Sequence, residues 1–213
     1  ECFQSLLTDQ RIPWRLLDGV NHPGLTQVRT LIAANVECLG DEELSRLRAW
    51  VEAGGRLLVT HRTGRFDLDR RCRAVHPLLN WAPAWQARAA SGPADWFHWV
   101  SDDAAPWMTA DPDQPESIKP EIAAMGNGFI GWWPTVLPKG PSGPLLAFVR
   151  QLHGPFDLRV DGPPQLMAEF NLARDGRRLV HLIRVDDAVQ PLDAVVRLAA
   201  SIRPGSIRVL SPD

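Results

Sequence analysis

Residues 30–64 read TLIAANVECLGDEELSRLRAWVEAGGRLLVTHRTG, and the order of signals within them sets the fold class. Residues 30–34 (TLIAA) form a continuous apolar run without alternation, as expected of a strand covered on both faces and central in its sheet. Gly40, Asp41, Glu42 and Glu43 then open a helix. Gly40 stands at the N-cap, Glu43 at N3, and three acids face the positive end of the macrodipole. Leu44, Leu47 and Val51 supply its apolar stripe, and the Gly54-Gly55 pair ends it, because glycine accepts the positive φ that a helix C-terminus demands. A second apolar run, Arg56–Thr60 (RLLVT), follows at once. Strand, helix, short glycine turn and strand make a βαβ unit, so the two strands are expected to be parallel and the crossover right-handed.

Upstream, Phe3, Leu6 and Leu7 have helical spacing from the first residues, and the chain starts on Glu1, which gives the expectation that it begins inside a longer protein. Residues 12–18 (IPWRLLD), entered through Pro13 and closed by Asp18-Gly19, read as a buried strand, and 21–26 as a loop. Downstream, residues 77–128 hold many prolines and five tryptophans without a sustained period, which reads as a long loop region holding short elements. Order returns at Gly128–Trp133 (GFIGWW), a strand, and at 144–152 (PLLAFVRQL), a helix with Pro144 in its first turn. The remainder changes character. Leu166–Leu172 (LMAEFNL) alternates, Arg174-Asp175-Gly176 makes a turn, and residues 178–185 (RLVHLIRV) return as the second arm of a hairpin. Residues 194–198 and 206–210 read as two more strands. The expected organisation is an open α/β domain over 1–153 and an antiparallel β domain over 154–213 with too few strands to close a sandwich.

Composition narrows the functional classes. Hydrophobic residues at 45% and charged residues at 23% are the balance of a globular fold. A net charge of -2 without a long basic run lacks the electrostatic footprint that phosphate backbones require, so nucleic acid is not an expected partner. No apolar run approaches the roughly 20 residues that span a bilayer, so no membrane partner is expected. Cys2, Cys38 and Cys72 are odd in number and widely spaced, fitting neither a disulfide framework nor a C-x-x-C metal site, and a reducing, cytoplasmic setting is expected.

In open parallel sheets, ligands bind beyond the carboxyl ends of the strands. Those ends carry Asp18, then Asn35 and Glu37, then Thr60, His61 and Arg62. Asp18, Asn35, Thr60, His61 and Arg62 are therefore the candidate ligand pocket, against the plainer reading that strand ends are polar because they emerge into solvent. The segment Thr60-His61-Arg62-Thr63-Gly64 occupies the place of a nucleophile elbow but has no Cys or Ser at its apex. His61 could serve as a base, yet a base without a positioned nucleophile is half a mechanism, and Cys72 reads as a core residue rather than a nucleophile. His61, Asp67 and His76 lack the spacing of a metal site, no glycine-rich phosphate cradle occurs, and His181 reads as a half-buried strand histidine. No catalytic residue, metal or cofactor is assigned. Trp81, Trp85, Trp96, Trp99 and Trp107 are expected mainly to pin the long loop, with one or two free to line an interface or a sugar.

The segment LIAANVECLGDEELSRLRAWVEAGGRLLVTHRTGRFD, residues 31–67, resembles the trimerisation domain of the family 42 glycoside hydrolases, which are β-galactosidases, and of related hypothetical glycosyl hydrolases. The resemblance rests on the strand, the acid-capped helix, the V-E-A-G-G-x-L turn, and Thr63, Gly64, Asp67, Cys72 and Arg73. Gly126-Asn127-Gly128-Phe129-Ile130 through Trp133-Pro134 is similar to the later glycine-led strand of that domain, and Arg178–Arg184 to the first hairpin of the β domain after it. It implies a flavodoxin-like, class I glutamine amidotransferase-like open parallel sheet followed by a small antiparallel β module. It further implies a homo-oligomer, a trimer in the family, with hydrolysis carried out by two carboxylates on a β/α barrel elsewhere. The Cys and His-x-Glu of true amidotransferases have no counterpart here, so glutaminase activity is not implied. The function expected is a non-catalytic oligomerisation or accessory region of a β-galactosidase-like protein; the alternative is a free-standing module that binds sugar or another small molecule.

Overall fold

A computed structural model of the chain describes residues 2–60, 62–73, 77–78, 81–82, 120–133, 142–173, 176–186 and 193–199. The backbone falls into two compact units, Leu16–His153 and, together, Glu1–Arg15 with Gly154–Asp213. The first fifteen residues thus group with the C-terminal strands, whereas the expected α/β span was 1–153.

In Leu16–His153, strands β1 (Thr30–Ala33), β2 (Arg56–Thr60), β3 (Glu121–Met125) and β4 (Gly128–Trp133) form one sheet in the order β1-β2-β4-β3. The first three neighbours in that order are parallel and β3 is antiparallel to β4. Helix α2 (Asp41–Glu52) is the crossover between β1 and β2, where the sequence places it. The Glu43 carboxylate accepts the Gly40 N–H at 2.8 Å, half of a capping box, since glycine has no side chain to return the bond. At the other end the Gly55 N–H reaches the Trp50 carbonyl at 3.0 Å and the Gly54 N–H the Val51 carbonyl at 2.9 Å, with Gly54 at φ 120. This is a complete Schellman motif, and the positive φ is what makes glycine the residue there.

Both faces of the sheet are covered, which explains the unbroken apolar runs of β2 and β4. Leu57, Val59, Ile130 and Trp132 join Leu44, Leu47 and Val51 in the core on the α2 face, with Trp81 in the same cluster. Helix α3 (Gly143–His153) covers the opposite face. Its Phe148 and Leu152 seat against Gly131, which has no Cβ to hold them off, and Phe148 meets Trp133 edge-on at 5.6 Å. Arg56 donates to the Leu152 carbonyl at 2.7 Å, satisfying a C-terminal carbonyl of α3 with a cation.

Two expectations are corrected. Residues 12–17 form no strand: Ile12 is buried, but Pro13, Trp14, Arg15 and Leu16 are exposed, Leu16 at 76%. Pro13 offers no N–H to a ladder, and one buried side chain does not anchor a strand. Strand β1 therefore lies at an edge of the described sheet instead of at its centre. Strand β3 is one of the short elements expected inside the stretch 77–128. It pairs with β4 across the two-residue loop Gly126-Asn127, with Gly126 at φ 58 in the first loop position, as a type II′ hairpin requires. Trp85, Trp96, Trp99 and Trp107 lie outside the described residues.

In the other unit, β6 (Leu166–Leu172) and β7 (Arg178–Arg184) form the expected antiparallel hairpin. Strand β8 (Val195–Leu198) pairs antiparallel with β5 (Leu158–Asp161), a strand not anticipated from sequence. The strand expected at 206–210 lies outside the described residues. Helix α1 (Cys2–Asp9) buries Phe3, Leu6 and Leu7, and Arg11 just beyond it donates to the Leu166 carbonyl at 2.8 Å and to the Pro163 carbonyl. Asp161 pairs with Arg197 across β5 and β8 at 2.6 Å and with Arg159 of its own strand at 2.7 Å. The Arg197 hydrogen bond, aided by the Arg159 charge, holds the Asp161 carboxyl below its usual value. A depressed carboxylate stabilises the fold above its unfolded pKa and loses that contribution as pH falls through the folded one. Arg197→Ala is expected to raise the Asp161 pKa, read from its side-chain carboxyl resonance in an NMR titration; an unmoved titration would contradict the pairing.

Candidate functional site

Parallel pairing in the register Ala33↔Val59 brings the carboxyl ends of β1 and β2 side by side. The chain leaves β1 through Asn35 at φ 51, a left-handed conformation that asparagine tolerates better than most residues. Thr60, 0% exposed, holds that turn: its Oγ1 accepts the Asn35 N–H at 2.7 Å and donates to Asn35 Oδ1 at 2.6 Å. Thr63 repeats the device one turn later. Its Oγ1 accepts the Thr60 N–H at 3.1 Å and donates to the Ala33 carbonyl at 2.6 Å. Two threonine hydroxyls thus replace the ladder bonds that end with the strands.

Beyond this clamp the two connections stay together. Gly64 N–H bonds the Val36 carbonyl at 2.8 Å, Phe66 N–H the Glu37 carbonyl at 2.8 Å, and Leu39 N–H the Phe66 carbonyl at 3.0 Å. Phe66 also pairs with Cys72 on its other side. The Arg62 guanidinium forms an ion pair with the half-exposed Glu37 carboxylate. Arg73 bonds the Leu39 carbonyl and Asp41, both at 2.8 Å, which fixes the returning loop to the start of α2.

Of the five candidate residues, Asn35 and Thr60 meet directly and Arg62 lies on the turn that follows Thr60. Asp18 is exposed on a bend after a segment that is not a strand, so it is not a strand-end residue of the sheet. His61 lies outside the described residues. Thr60 spends its hydroxyl on the fold, which leaves the Asn35 side chain and the Arg62–Glu37 pair as the groups that face solvent. Such an arrangement can hydrogen-bond a hydroxyl-bearing ligand. Thr63 and Arg73 stand in the sequence only as matches to the family pattern, not as candidate site residues; the i+3 spacing of Thr63 from Thr60 is legible as a clamp once a tight turn is known.

Other sequence readings change as well. Cys72, expected in apolar surroundings, is exposed, with Sγ 3.8 Å from the Arg73 carbonyl. His181, expected half-buried, is exposed on β7 opposite Glu169. Among the described residues no group of three or more His, Cys, Asp and Glu could hold a metal ion. No described helix is long and apolar enough to cross a membrane.

Thr60→Val tests the clamp. It keeps the shape and removes the hydroxyl, stranding the Asn35 N–H and taking the donor from Asn35 Oδ1, at an expected cost of about 1–3 kcal/mol. A urea midpoint unchanged from wild type would show that the hydroxyl is dispensable.

No protein-family model matches the chain, and no curated protein sequence matches it. Solved structures do. A β-galactosidase from Bacillus circulans sp. alkalophilus superposes with a TM-score of 0.52 at 12% identity, over 90% of this chain and 36% of that one. A catalytic mutant of a GH42 β-galactosidase from G. stearothermophilus gives 0.51 at 12% identity, over 81% of this chain and 32% of that one. The chain thus spans about a third of the length of these neighbours. At this identity the likeness is one of fold: a mixed, mainly parallel sheet with helices, and small antiparallel sheets, in an arrangement that recurs within β-galactosidase chains.

Proposed function

We propose that this chain is a non-catalytic, oligomerising accessory region of a glycoside hydrolase of the β-galactosidase type, with the α/β unit in the flavodoxin-like, class I glutamine amidotransferase-like arrangement. The observation that carries the reading is that one β-galactosidase chain superposes on 90% of this chain while leaving most of its own length outside the match. The acid-capped helix and Gly-Gly turn at 40–55, which resemble the trimerisation domain of that family, support it independently. On this reading hydrolysis belongs to a barrel elsewhere in the protein, and this region supplies subunit contacts, most simply as a trimer. Multi-angle light scattering over a dilution series tests it: a mass of three chains of 23.7 kDa is expected, and a monomer at every concentration contradicts it.

The alternative, a sugar-binding module, is favoured by one observation: Asn35 is exposed on a backbone fixed by Thr60, beside the connection that carries Arg62 and Glu37. A bound sugar would raise Tm by mass action. Galactose and lactose at millimolar concentration should then shift melting of the wild type but not of an Asn35→Ala, Arg62→Ala chain; an unshifted wild type removes this reading.

A further inference from the structure

From the β3–β4 hairpin we infer that Asn127 is a site of spontaneous deamidation, and that the product loosens the hairpin from α2. Asn127 is the one asparagine in the sequence followed by glycine. It is exposed, in the second position of a two-residue loop closed by the pair Met125↔Gly128. Gly128 has no Cβ to obstruct approach of its nitrogen to the Asn127 side chain. The reaction balances with water as the only co-reactant. The Gly128 backbone nitrogen attacks the Asn127 Cγ and loses its proton to solvent, the new N–Cγ bond closes a five-membered imide, and ammonia leaves. Water then opens the imide at either carbonyl, giving aspartate or isoaspartate. Exposure of Asn127 lets ammonia out and water in. The restraint is that the Gly128 nitrogen belongs to the closing pair, so the rate follows transient opening of the loop.

The surroundings make the product consequential. The Asn127 N–H bonds the Glu52 carbonyl at 2.9 Å and the Phe129 N–H bonds the Gly55 carbonyl at 3.1 Å, so the loop is fastened to the last turn of α2. A Cβ on Gly126 would stand 2.7 Å from the Glu52 carbonyl oxygen, which leaves no slack. Isoaspartate lengthens this backbone by one methylene. Either product also puts a carboxylate beside Glu52 at the negative end of the α2 dipole, where a carboxylate is disfavoured.

The test is to incubate the folded chain and a urea-unfolded sample in warm, mildly alkaline buffer and map products by peptide mass spectrometry with isoaspartate detection. Asn127 should convert in the folded chain ahead of Asn21, Asn35, Asn80 and Asn171, and the converted fraction should melt at a lower temperature. The Asn127→Gln chain should keep its Tm through the same incubation. An intact Asn127 in the folded chain, beside conversion in the unfolded sample, overturns the site. A converted fraction that melts with the unconverted one overturns the loosening.

Discussion

Replacing Gly128 by alanine is expected to unfold the α/β unit or to cost more than ~4 kcal/mol, the exceptional end of single substitutions. A Cβ there would fall inside 3.0 Å of both the Val51 and Gly55 carbonyl oxygens, and neither can move freely. Val51 accepts the Gly54 N–H in the α2 C-terminal motif, and Gly55 accepts the Phe129 N–H that joins the helix end to β4. The clash is therefore with two backbones already committed to other bonds, unlike a clash with the flexible end of a side chain. Gly19→Ala is the control, since nothing lies within 4 Å of its added Cβ, and its effect should stay within about 0.5 kcal/mol. Thermal unfolding of both variants by circular dichroism decides the matter; a Gly128→Ala chain melting with the Gly19→Ala control would mean that the hairpin does not pack on α2 as described.

Trp132→Ala should cost about 3–5 kcal/mol. Trp132 is the largest of the fully buried side chains among the described residues, 1% exposed, and packs with Leu44, Leu47, Leu57 and Ile130 between α2 and the sheet. Truncation removes an indole from a face that the sheet and α2 both hold rigid, so most of the cavity should persist. The urea midpoint should fall sharply with an m-value close to wild type. A midpoint within experimental scatter of wild type would place Trp132 outside the core.

The parts of this fold legible in the sequence are those whose signals are local. The acids at 41–43, the Gly54-Gly55 pair and the alternation of 166–172 each fix an element through backbone chemistry within a few residues. What was not legible depends on partners distant in sequence. The apolar run at 12–18 resembles a buried strand, but Pro13 offers no N–H to a ladder and, of the run, Ile12 alone is buried. Strand β1 has the composition of a central strand and sits at an edge of the described sheet for the same reason. The short run Glu121–Met125 becomes β3 because the hairpin at Gly126-Asn127 folds it onto β4, which no period within five residues announces. Helix α1 was legible as a helix and not in its allegiance, which is set by contacts more than a hundred residues away, such as that of Arg11 with Leu166.

The candidate site divides the same way. Strand ends predicted a polar set, and Asn35 and Thr60 do meet at the carboxyl edge of the sheet. The sequence did not reveal that Thr60 is consumed by the fold, since an exposed threonine and a buried one that caps a neighbouring turn look alike in one dimension. Asp18 was selected only because a strand was expected before it.

The proposed place of this chain, as the accessory part of a longer hydrolase, is open to one decisive measurement, the sequence of the gene that encodes it. Upstream coding sequence with the alternating strands and helices of a barrel, and two strand-end carboxylates placed as acid and nucleophile, is the expected result. A start codon immediately before Glu1, with no barrel on either side, would contradict it.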